Sequence, residues 1–113
     1  MTLTVDAFKL DEDGGFVWLP LQSDLAGFNS ARHNFYGSKA ARDAGLTLLP
    51  SLREIVPLTV IGPDLELLRR EVQILRTLVK TDQAEYWNFR LDNILLAIEE
   101  AEKHGPSSGG YFG

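Results

Sequence analysis

The chain contains no cysteine, which removes disulfides, thiolate zinc sites and cysteine nucleophiles together and suits a reducing compartment. Histidine is nearly as scarce. His33 and His104 stand far apart, and no HxxxH, HExxH or calcium-loop spacing surrounds them. No metal and no cofactor are expected. Long apolar runs are missing as well. The longest, Ile94 to Ile98, falls far short of the ~20 residues that span a bilayer. Met1 to Leu10 has no basic residue before Lys9 and no unbroken apolar stretch, so a secretory signal is not expected there. These absences predict a cytoplasmic protein with no membrane partner. No serine is expected to sit in a GxSxG turn, and no triad can be assembled.

What is present fits one ordinary α+β domain over residues 1–105. At 113 residues, with 44% hydrophobic and 24% charged side chains, the chain can bury a core without staples. Net charge is −5, unevenly spread. Residues 1–31 carry five acids (Asp6, Asp11, Glu12, Asp13, Asp24) against Lys9, residues 32–91 balance at +2, and residues 92–113 at −3. An acidic total argues against nucleic acid, whose affinity comes from phosphate neutralisation, and favours a basic protein partner.

Leu3, Val5 and Ala7 alternate with Thr4 and Asp6, the period of a half-buried strand; the phase then shifts to Phe8 and Leu10, which suggests a bulge or a twist near Ala7. Asp13-Gly14 supplies a type I′ turn, and Phe16 to Leu19 returns as a second strand before Pro20. Ser23 is expected to cap a short helix carrying Leu25 and Phe28, Ser38 a second one closed by Gly45, and Leu58 to Ile61 forms a third strand. Leu65, Leu68, Val72, Leu75 and Val79 define one buried stripe, and Trp87, Leu91, Ile94, Ile98 and Ala101 another. Pro63-Asp64 opens the first of these helices, and a capping box at Asp82 to Glu85 the second. The predicted architecture is a small antiparallel sheet of about three strands (2–10, 16–19, 57–61) packed against a C-terminal antiparallel helix pair (63–80, 83–104). Residues 106–113, rich in glycine and serine and resembling vector-derived sequence, are expected to be a flexible tail.

Three features compete for function. The leading one is the outer face of the last helix. There Phe89 and Leu96 sit seven residues apart, opposite the core stripe, amid Glu85, Asp92, Asn93 and Glu100. An apolar centre in an acidic rim predicts a non-catalytic protein-binding module, in one version an acidic inhibitor of the immunity or antitoxin kind that covers a basic enzyme. A structural homodimer that buries Phe89 and Leu96 is the self-association version. The alternative is a small enzyme or anion-binding protein using Arg32, His33, Asn34, Tyr36 and Lys39. That segment offers a cation, a titratable ring, an amide and a phenol next to the helix start at Ser38. Glu71 falls inside an apolar arc, where it is expected to be a boundary residue whose head reaches water or an arginine.

Overall fold

The alternation of Leu3, Val5 and Ala7 builds β1 (Thr2–Leu10) in a computed structural model that describes residues 2–113. The chain is α+β. Its antiparallel sheet has five strands, two more than expected: β1, β2 (Phe16–Leu19), β3 (Leu25–Phe28), β4 (Leu58–Ile61) and β5 (Ser108–Phe112). The order is β2-β1-β5-β4, and β3 pairs with the start of β1. Since β2 opposes Ala7 to Leu10 and β3 opposes Thr2 to Thr4, the two lie end to end along one edge of β1, separated by the kink at 20–24.

Two corrections explain the extra strands. Residues 25–28, expected as a helix capped at Ser23, are extended instead, because a helix of so few residues with Gly27 inside it is too weak to compete with ladder bonds to β1. Residues 106–113, expected as a loose tail, carry β5, which is inserted between β1 and β4 and hydrogen-bonded to both. Its glycines are what that place requires. A β-carbon on Gly109 would collide with the Val60 carbonyl oxygen. The buried Ser108 hydroxyl lies 2.5 Å from the carbonyls of Ala101 and Gly105, fastening β5 to the end of the preceding helix.

The hairpin turn also differs in type. Among the described residues none other than glycine has positive φ, so a type I′ turn is excluded. Gly14 (φ 81°) donates to the Asp11 carbonyl at 3.0 Å, and Asp11 N–H donates to Gly15 at 2.9 Å. This is a three-residue loop with glycine in its left-handed position. The phase shift in β1 is not a bulge at Ala7, since pairing with β2 and β5 is regular there; the register slips at Leu3/Thr4, against β3. Phe8 is buried on the opposite face from Val5 and Ala7.

Helix α1 (Ala31–Asn34) and helix α2 (Lys39–Asp43) follow, the latter capped by Ser38, whose hydroxyl accepts from Ala41 N–H at 3.2 Å. A 3-10 turn (Pro50–Arg53) leads to β4. Helix α3 (Asp64–Leu78) carries Asp64 and Glu66 at its positive end and buries Leu65, Leu68, Val72 and Leu75. Helix α4 (Ala84–Glu102) begins after a 3-10 turn at Thr81–Gln83 with no side-chain cap, so the expected capping box does not form. Arg69 pairs with Glu102 and Arg76 with Asp92, a register that runs the two helices antiparallel. Leu91, Ile94, Ile98 and Ala101 of α4 meet Leu3, Val5, Ala7 and Phe112 in the core. The helices therefore cover one face of the sheet. The other is open.

Candidate functional site

On that open face the pairing register sets aromatic side chains beside one another. Phe8 stands opposite Trp18, Leu10 opposite Phe16 and Asp6 opposite Tyr111, and directly opposed residues share a face. Phe8 is fully buried yet stands apart from the inner core; Phe16 stacks on it at 4.1 Å. Trp18 meets Phe16 edge-on at 5.5 Å and Tyr111 at 5.2 Å. Gly109 is the residue paired with Phe8 on the other side of β1. Phe16 remains 40% and Trp18 53% exposed, an aromatic surface with nothing over it.

Acids lie at both ends of this surface, Asp11, Glu12 and Asp13 in the turn and Asp6 beside Tyr111 with Asp24 near it. Among the described residues, none of Asp6, Asp11, Glu12, Asp13 and Asp24 makes an ion pair. Partial burial, and then the field of Asp24, hold the Asp6 carboxyl above the usual carboxylate range. Lys9 points to the other face, since β1 side chains alternate. The Asp11 carboxylate accepts from Asp13 and Gly15 N–H at 2.9 and 2.8 Å, which holds the turn and its charge in place. The sequence places Phe8 and Phe16–Leu19 on strands without assigning them a face. The exposure of Phe16 and Trp18 is readable only once the helices have been placed on the other face of the sheet.

The outer face of α4 has the composition expected of it, with Phe89 48% and Leu96 40% exposed. Its rim is less free. Asp92 lies 2.6 Å from Arg76, which also donates to Asn88, and Glu100 is 3.1 Å from Lys103. Asn93 turns away and donates to the Leu25 carbonyl at 2.9 Å. Glu85 is exposed. Beside Phe89, the Arg90 guanidinium lies 3.4 Å from the centre of the Tyr86 ring, at the wall of a cavity of about 190 Å³ lined by Thr2, Leu25, Gly27 and Phe28.

The polar segment from Arg32 to Lys39 does not converge. Arg32 is buried and donates to the Leu52 carbonyl (3.3 Å) and Asn29 (2.7 Å). The Tyr36 phenol is buried and donates to the Ala26 carbonyl at 2.6 Å; burial pushes its ionisation far above the usual tyrosine range. Phe35 stacks on Trp87 at 3.6 Å. His33 and Asn34 face solvent, and Lys39 pairs with Asp43 at 2.7 Å. A cavity of about 340 Å³ is lined by Asn34 and Ser38 but by none of Arg32, His33, Tyr36 or Lys39. These groups tie a loop to the framework. Glu71, expected at a boundary, is 2% exposed and its carboxylate accepts from the N–H groups of Thr47, Leu48 and Leu49 at 2.9–3.1 Å. Its partners are these backbone groups and the Thr47 hydroxyl (3.1 Å), not an arginine.

Gly105-Pro-Ser-Ser-Gly109 does spell GxSxG around Ser107, contrary to the sequence expectation. It joins a helix to a strand, the reverse of a nucleophile elbow, which presents serine on a strand-to-helix turn. Among the described residues no group of three or more His, Asp or Glu is placed to hold a metal ion, and no helix is long and apolar enough to cross a membrane. No protein-family model matches the chain, and no curated protein and no solved structure matches it either.

Proposed function

We propose that the protein is a binding module that covers a basic surface of another protein, using the open face of its sheet. The observation that carries this is the exposed pair Phe16 and Trp18, seated on a buried Phe8 with unpaired acids at either end. Aromatic anchors inside a charged rim are the composition of interface hot spots. Full burial of such a side chain is worth ~1.5–3 kcal/mol, and a partner recovers the share that exposure leaves unused, roughly half. An acidic inhibitor acting on a basic enzyme is the version that this charge pattern supports. The outer face of α4 is the second reading, favoured by the exposure of Phe89 and Leu96. There Asp92 and Glu100 already have cationic partners, so less negative charge is left for a newcomer.

Affinity capture from native-cell extract, with wild type, Trp18→Lys and Phe89→Asp as baits, separates the two. The sheet-face reading expects one partner retained by wild type and Phe89→Asp and lost by Trp18→Lys, with both variants folded. Loss with Phe89→Asp alone would transfer the function to α4. Retention by both variants would remove both surfaces.

A further inference from the structure

We propose that β2 is a docking edge for an extended, basic segment of a partner protein, which adds to the sheet as a further strand and lays side chains over Phe16 and Trp18. This rests on the binding reading above and specifies its mode and chemistry.

Backbone geometry makes the first argument. β2 is at the end of the strand order, with β1 on one side and no strand on the other. The bonds that close the hairpin join Asp11 to Gly14 and Gly15. Hydrogen-bonded and non-bonded pairs alternate along an antiparallel ladder, so Val17 and Leu19 direct their N–H and C=O groups to β1. Phe16 and Trp18 direct theirs to the free edge. The same two residues thus offer backbone partners at the edge and rings on the open face. Exposed edges are ordinarily blunted by lysine or by inward charges, yet Phe16-Val-Trp-Leu19 carries no charge at all. Strand addition uses an edge of this kind.

Charge decides the occupant. The five acids of residues 1–31 lack ion-pair partners among the described residues, and the turn residues Glu12 and Asp13 are exposed at one end of β2, with Asp24 just beyond the other. A second copy would bring the same acids to the same edge and be repelled. A segment bearing arginine or lysine would be attracted, and arginine also stacks on indole.

The test uses capped synthetic peptides of alternating arginine and valine, the same with glutamate for arginine, and the arginine peptide N-methylated at alternate residues. Backbone-amide NMR of the full chain reports where and how tightly each binds. The arginine peptide is expected to shift the amides of Phe16 and Trp18 most. It should bind at least about tenfold tighter than the glutamate peptide and weaken with salt. N-methylation, which removes donors but keeps charge, should cost about tenfold or more. Glu12→Lys, on an exposed turn, should weaken the arginine peptide without unfolding the chain. Equal binding of the glutamate or N-methylated peptide, shifts centred on α4, or concentration-dependent dimerisation through β2 would overturn the proposal. If a natural partner still depends on Trp18 while the peptides fail, strand addition falls and the binding reading stands. If capture ignores Trp18, that reading falls first.

Discussion

At the residue scale, the buried polar side chains of this protein replace missing secondary structure. Between residues 29 and 57 the chain has only two short helices and a 3-10 turn, and its free backbone groups need partners once buried. Arg32, the half-buried Arg53 and Glu71 supply them, to the carbonyls of Leu52 and Gly37 and to three consecutive N–H groups at 47–49, while the Tyr36 phenol ties the segment to the Ala26 carbonyl of β3. Glu71 does most, because one carboxylate serves an entire turn. Glu71→Ala leaves those donors buried without an acceptor and is expected to lower stability by about 3 kcal/mol. Urea unfolding measures this. A change within error would mean that the turn at 47–49 finds water instead.

At the element scale, β5 joins the two halves of the sheet, and it is the element least visible in the sequence. Periodicity made α3 and α4 legible, since Leu65, Leu68, Val72 and Leu75, and likewise Leu91, Ile94 and Ile98, recur at helical spacing. The alternation in Leu3 to Ala7 likewise gave β1. Ser-Gly-Gly-Tyr-Phe carries no such signal, because two of its strand positions are glycine, for a packing reason that local composition cannot express. The exposed patch on α4 was legible from helical angles alone. The patch on the sheet was not, because which face of β1 and β2 the helices cover is a long-range fact. Two neighbouring glycines test the placement of β5. Gly109→Ala drives a methyl group into the Val60 carbonyl and should cost about 2–3 kcal/mol. Gly110→Ala meets only the Asp6 carbonyl oxygen, at 3.9 Å, and should be nearly neutral. Thermal melts of the pair check it, and two unchanged melting temperatures would return residues 106–113 to a loose tail.

At the scale of the whole molecule, the fold puts both long helices on one side of the sheet and leaves its aromatic side to solvent under a negative field. Everything proposed about function depends on that arrangement in solution. The most direct measurement is the quenching of Trp18 emission at low ionic strength. It is made in a Trp87→Phe variant, in which the stacking partner of Phe35 stays aromatic and Trp18 is the sole indole. The account predicts emission typical of a solvated indole, readily quenched by acrylamide and more strongly by caesium than by iodide, because the unpaired acids concentrate cations near the ring. Emission shielded from all three quenchers, or quenched better by iodide, would contradict an open, acid-rimmed sheet face.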